Sequence, residues 1–198
     1  MDEWNFKRVG IEDQKLIEEY FRKYPERSCD RTFFGVLLWG RHYNLKFADT
    51  GKALLFREED ERGYGFAWPA GPEEEIRELI PQMEMYCEKH GGEFLMYGLS
   101  EAQFALLDSW YPGRYQIEYD RDAADYIYES EKLCTLSGKK LHGKRNHINK
   151  FKATYEDWAY EPLEEDNLEE CFQMALKWRN ENGCEDDEAV SYTHLTLP

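Results

Sequence analysis

Seven positive charges fall between Lys132 and Lys152 with no acid among them: Lys132, Lys139, Lys140, Lys144, Arg145, Lys150 and Lys152, with His142 and His147 interspersed. Taking those seven out of a formal net charge of −16 leaves −23 for the rest of the chain. Lysine and arginine suit phosphate and carboxylate groups, and Asn146 and Asn149 add directional hydrogen bonds beside them, so the chemistry open to this block is anion recognition. Leu141, Ile148 and Phe151 share one apolar stripe of a helix expected from about Gly138 onward. That helix puts Lys140, Lys144 and His147 on an adjacent face as a cationic ridge. The same charge also suits a brace that neutralises two acidic bodies on either side of it.

The remaining residues offer less. Acid runs at Glu58–Glu61, Glu73–Glu75, Glu164–Asp166 and Glu185–Glu188 read as solvated faces and helix starts. Five scattered cysteines without a C-x-x-C pair read as reduced thiols, not as a disulfide framework or a thiolate metal site. Cys87 and His90 lie three apart on a predicted helix, but nothing nearby supplies third and fourth ligands, so no metal is expected. The large negative charge opposes loose binding to DNA or to an anionic membrane, and any polyanion contact must be local. No apolar run approaches bilayer-spanning length and Met1–Trp4 lacks a signal-peptide layout, so no integral membrane segment and a cytoplasmic location are expected.

The elements that must position the basic block follow from periodicity. The sequence predicts a short strand over Asn5–Val9 and a helix through Ile11, Leu16, Ile17, Tyr20 and Phe21 that stops at Tyr24–Pro25. A second helix runs from Phe33 to Trp39, with Ser28 and Asp30 as its caps. Strands at Leu45–Ala48, Ala53–Arg57 and Tyr64–Trp68 read as a meander. Pro72 and Glu73–Glu75 start a strong helix carried by Ile76, Leu79, Ile80, Met83 and Tyr86 to Gly91–Gly92. A strand at Phe94–Tyr97, a helix at Glu101–Ser109 and strands at Tyr115–Tyr119 and Asp125–Tyr128 complete the order βααβββαβαββ.

That order over residues 5–130 resembles the GNAT acyltransferase fold, whose sheet splits between its fourth and fifth strands to admit an acyl-carrying cofactor. In that fold a Gly-rich loop after the fourth strand holds the cofactor's pyrophosphate at a helix N-terminus. Here the loop is Trp68-Pro69-Ala70-Gly71-Pro72-Glu73-Glu74-Glu75, in which two prolines remove amide donors and three carboxylates stand where phosphates would sit. No cofactor is expected in this half.

Tyr126-Ile127-Tyr128-Glu129, Leu133 and the run from Leu136 to Phe151, with Gly138-Lys139-Lys140-Leu141, Lys144-Arg145-Asn146 and Ile148-Asn149 at its centre, resemble the phosphatidylglycerol lysyltransferase C-terminal-domain family. The resemblance implies tandem GNAT-like domains and transfer of an amino acid from charged tRNA. The fold class is then α/β of the α+β kind: a GNAT-like domain with a mixed, mainly antiparallel central sheet flanked by helices, plus the start of a second such domain. The expected boundaries are 1–130 for the first domain, 131–153 for a basic linker helix, 154–190 for a truncated second domain and 191–198 for a non-native, adapter-like tail. The second domain opens with a strand at Thr154–Tyr160 and a helix at Leu163–Asn182.

The functional expectation is a fragment of an aminoacyl- or acyltransferase, inactive as given. The anion-binding residues are Lys139, Lys140, Lys144, Arg145, Asn146 and Asn149, with Lys140, Lys144 and Arg145 on phosphate and Asn146 orienting it. Their partner is a phosphate-bearing ligand or a tRNA acceptor end. The donor in the full-length protein is aminoacyl-tRNA or acyl-CoA, and no general base can be named. Two alternatives stay open: a non-catalytic GNAT-like binding module, or an acyl-CoA N-acyltransferase whose catalytic domain is missing.

Overall fold

A computed structural model of the chain describes residues 4–60, 63–122, 124 and 126–181. It contains a four-stranded mixed sheet flanked by helices. Two compact units are present, one holding Met1–Ala123 with Ala175–Pro198 and the other Ala124–Met174.

The first unit is built on β1 (Lys46–Asp49), β2 (Leu54–Asp60), β3 (Gly63–Ala67) and β4 (Leu95–Tyr97), in that spatial order. β1, β2 and β3 pair antiparallel, with Phe47 opposite Phe56 and Arg57 opposite Phe66. β4 adds parallel to β3, with Phe66 opposite Met96. The β1–β2 turn is set by Gly51, whose φ of 82° favours glycine and whose amide donates to Asp49 Oδ1 at 2.7 Å.

Period-two alternation along β2 sorts the core into two layers. Leu54 and Phe56 face α1 (Gln14–Lys23) and α2 (Phe33–Trp39), packing with Ile17, Phe21, Phe33, Val36 and Phe47. Ala53 and Leu55 face the other way, against α3 (Glu73–Lys89) and α4 (Glu101–Trp110). α3 meets them with Ile76, Leu79, Ile80, Met83 and Cys87, a stripe at helical spacing that is almost wholly buried. Each such aliphatic side chain contributes roughly 1.5–3 kcal/mol on burial.

Pro81 lies inside α3 and has no amide hydrogen for the carbonyl of Arg77 one turn earlier. The hydroxyl of Tyr111, just past α4, donates to that carbonyl at 2.6 Å. Trp110 stacks on Trp68 at 5.9 Å, and Arg114 and Tyr115 both donate to Glu84 of α3.

Several boundaries differ from the sequence reading. Asn5–Val9 shrinks to a single bridge, Lys7 opposite Phe47, because Trp4 and Phe6 turn their rings into an aromatic cluster with Tyr86. The N-cap of α2 is Thr32, whose hydroxyl accepts from the Gly35 amide at 3.0 Å, in place of Ser28 or Asp30. Tyr115–Tyr119 forms no strand: Tyr115 is held by Glu84, while Ile117 and Tyr119 are exposed with no neighbouring strand among the described residues. Tyr126–Tyr128 is likewise not a strand, and Asp125 lies outside the described residues.

The second unit carries α5 (Ser130–Thr135) and α6 (His142–Thr154), separated by Leu136–Leu141. α7 spans Leu168–Glu181. Where the sequence predicts a strand at Thr154–Tyr160, α6 ends at Thr154 and the rings of Tyr155 and Trp158 fold back onto Phe151 at 5.1 and 6.2 Å. The end of the predicted helix at Asn182, the acid run from Glu185, and the tail from Ser191 lie outside the described residues. Among the described residues of α5, α6 and α7 none is buried.

Candidate functional site: the basic turn and helix

The chain enters the basic block through two residues with left-handed backbones, Leu136 (φ 48°) and Gly138 (φ 89°). Glycine adopts such a φ freely and leucine does so at a cost, so this turn must be held from outside. Arg145 holds it. Its Nη1 donates to the carbonyls of Leu136 and, at 3.0 Å, of Gly138. The guanidinium of Arg145 therefore folds the turn back over the first turn of α6. Asn146 is also engaged locally, with Nδ2 at 3.2 Å from His142 Nε2.

The lysines are placed differently. Lys139 and Lys140 sit in a short 3-10 turn that runs directly into α6, and Lys144 follows one helical turn after Lys140. All three are exposed, and among the described residues none of them pairs with a carboxylate. Asn149 is exposed on α6. The α6 N-terminus has no acid in its first turn, so its own amides add positive potential beside Lys140 and Lys144. Lys152 differs in lying over the Trp158 ring at 5.5 Å. The arrangement can present several ammonium groups to one anion, with Arg145 serving the turn that positions them.

In the loop after β3 the backbone of Ala70 is committed to the sheet. Ala70 exchanges both backbone hydrogen bonds with Leu54 at 2.9 Å, and Pro69 and Pro72 carry no amide hydrogen. A Cβ on Gly71 would stand 2.5 Å from that of Ala53, so the loop is packed flat on the β1–β2 turn. Glu75, in the first turn of α3, pairs with Lys52 at 2.9 Å, a contact that raises the lysine pKa above its ordinary value.

Sequence reasoning missed a buried cation in the same unit. Arg57 is only 4% exposed and points into the layer between sheet and α3, where the rings of Tyr64, Phe6 and Tyr86 lie 4.0, 4.8 and 5.5 Å from its Cζ. Its Nη1 donates to the Tyr86 hydroxyl and its Nη2 to Glu59 at 3.4 Å. The available signal was its position: an arginine at the inward phase of an alternating strand, among Leu54, Leu55 and Phe56. Cys87, three residues before His90, is buried beneath this cluster, and burial pushes its thiol up to about 11.

The sequence profile of the family described as phosphatidylglycerol lysyltransferase, C-terminal, matches residues 21–194. The chain belongs to that family. A crystal structure of a conserved protein of unknown function from Bacteroides thetaiotaomicron VPI-5482 is similar at a TM-score of 0.82 and 30% identity, over 98% of this chain and 67% of that one. The uncharacterized protein MYCGA3080 of Mycoplasmoides gallisepticum is 37% identical over 82 residues, which is 40% of this chain and 26% of that protein. The chain's match thus spans about a quarter of the length of the curated relative. The phosphatidylglycerol lysyltransferase C-terminal match takes in the last residues of α1, then α2 through α7, the flat loop after β3 and the whole basic turn. No helix among the described residues is long and apolar enough to cross a membrane.

Proposed function

We propose that this chain is part of a cytoplasmic aminoacyl- or acyltransferase of GNAT-like architecture, and that Lys139, Lys140 and Lys144 hold the phosphate of a nucleotide-bearing donor, the acceptor end of a charged tRNA. The observation that carries the reading is the set of exposed lysines on one turn and helix that pair with no carboxylate among the described residues, in a chain otherwise rich in acids. Membership of the phosphatidylglycerol lysyltransferase C-terminal family supports the reaction class. In that class an amine or hydroxyl attacks the activated ester carbonyl, a new amide or ester bond forms, and the ribose hydroxyl leaves. The basic turn contributes positioning, and Asn149 adds a directional donor on the same helix. Lipid as acceptor does not enter the proposal.

The test is Lys140→Glu with Lys144→Glu in the full-length protein, leaving Arg145 in place to hold the turn. Affinity for an acceptor-stem RNA hairpin should fall by at least about tenfold, with the melting temperature unchanged. Equal binding by variant and parent refutes the reading. The two prolines of the loop after β3, with the Ala70 amide committed to Leu54, favour one second reading, in which the first unit keeps the fold for binding alone. Saturable binding of coenzyme A to the 198-residue chain would instead favour an acyl-CoA enzyme.

A further inference from the structure

Charge and aromatic rings share one side of α6. Lys144, Ile148, Phe151 and Tyr155 recur at intervals of four, three and four, so they line a single face that runs roughly 16 Å along the helix axis. Lys140 precedes Lys144 by one turn. At the far end the Phe151 ring meets those of Tyr155 at 5.1 Å and Trp158 at 6.2 Å. Phe151, Tyr155 and Trp158 are 47%, 58% and 47% exposed, and no residue of α6 is buried. Lys152 lies over the Trp158 ring at 5.5 Å, so the positive charge of the helix runs up to the rings.

Exposed rings at the end of a row of ammonium groups meet the two needs of a single nucleic-acid strand, whose backbone is anionic and whose bases present flat π-faces. We propose that the Tyr155 ring, flanked by Trp158, stacks on the unpaired terminal base of an RNA 3′ end whose preceding phosphates lie on Lys140 and Lys144. The inference rests on the phosphate reading of the same lysines and adds the polarity of the bound strand to it. Glu156 and Asp157 fill the exposed turn between Tyr155 and Trp158. Their charge repels a phosphate beside the rings. The nucleoside that fits is therefore the one that closes the strand, with a phosphate on its 5′ side and only hydroxyls on its 3′ side. A protein partner with an apolar face would match the rings and leave the lysines of the same face unmatched, whereas an RNA strand serves both.

The test compares an RNA hairpin ending in a short unpaired 3′ tail with the same hairpin made blunt, each titrated against the full-length protein by fluorescence anisotropy. The tailed hairpin should bind at least about fivefold more tightly. A phosphate added to the 3′ end of the tail should cancel most of that gain. Tyr155→Ala, at an exposed position just past α6, should remove the preference while blunt-hairpin affinity and melting temperature stay as in the parent. Tyr155→Phe should retain it, because stacking uses the ring face and not the hydroxyl. Lys140→Glu with Lys144→Glu should weaken both hairpins alike. Equal binding of the two hairpins by the parent, indifference to the 3′ phosphate, or a full preference in folded Tyr155→Ala overturns the inference, while a loss in the lysine variant would still uphold the function proposed above. Undiminished binding by the lysine variant overturns both. If Tyr155→Ala fails to fold, the phosphate comparison and Tyr155→Phe decide. A parent that sediments as a dimer, becomes monomeric on Tyr155→Ala and binds both hairpins equally assigns the rings to a second copy and also overturns it.

Discussion

Exchanging Tyr64 for leucine should cost more stability than the change in ring area explains, and a double-mutant cycle with Arg57→Met isolates the excess. Arg57 is 4% exposed, so its attraction to aromatic faces is not diluted by water, and about 2 kcal/mol is the appropriate scale for a well-placed ring. Tyr64 is the nearest ring at 4.0 Å, Phe6 follows at 4.8 Å, and Tyr86 at 5.5 Å acts more through its hydroxyl. Among the described residues the acid paired with the guanidinium is Glu59, itself 37% exposed, so the rings carry much of the task of keeping the charge buried. Urea unfolding of the parent, Tyr64→Leu, Arg57→Met and the double variant, followed by tryptophan fluorescence, should give a coupling of about 2 kcal/mol. The same cycle with Phe6→Leu should give about half of that. Additivity within about 0.5 kcal/mol for Tyr64 would mean the ring is ordinary packing and would refute the reasoning.

Two further outcomes follow from burial. Iodoacetamide near pH 8 should label Cys29, Cys134 and Cys171, which are exposed, well before Cys87, whose buried thiol is raised to about 11; simultaneous labelling in the folded state contradicts that placement. With the folded pKa of Cys87 above its unfolded value, and burial also raising Tyr97 and Tyr115, the folded state keeps protons that the unfolded chain releases. Stability is thus complete below about pH 9 and lost as pH rises through about 11, seen as a falling melting temperature. Gly71→Ala should destabilise the first unit by about 1–3 kcal/mol, because its Cβ would meet that of Ala53 at 2.5 Å; an unchanged urea midpoint counts against the flat packing of this loop.

The elements legible in the sequence were those whose pattern had one interpretation. Ile76, Leu79, Ile80 and Met83 recur only as a helix recurs, and α3 follows them; the meander follows from alternation between turn residues. Tyr115, Ile117 and Tyr119 also alternate, but a strand needs a hydrogen-bonding neighbour as well as a period. Arg114 and Tyr115 spend their side chains on Glu84, and among the described residues the backbone beyond has no strand to pair with. In the basic turn, the block of charge named the lysines. Spacing on an ideal helix could not show that the chain turns at Leu136 and Gly138, and so could not separate Arg145 and Asn146, which face inward to carbonyls and a histidine, from Lys139, Lys140 and Lys144. Arg57 was hidden for a physical reason: a lone cation among apolar residues is visible in sequence, but whether it is buried depends on which rings close over it.

The proline inside α3 makes two distant positions answerable to each other. Because Pro81 leaves the Arg77 oxygen without its usual helical donor, and Tyr111 provides the substitute, neither residue is free to vary alone. A phenylalanine at 111 would strand the oxygen, whereas an alanine at 81 would supply a rival hydrogen and release the tyrosine from its post. Related chains should therefore carry the two together or lack both, and the hydroxyl's presence in a homologue forecasts where its long helix is interrupted.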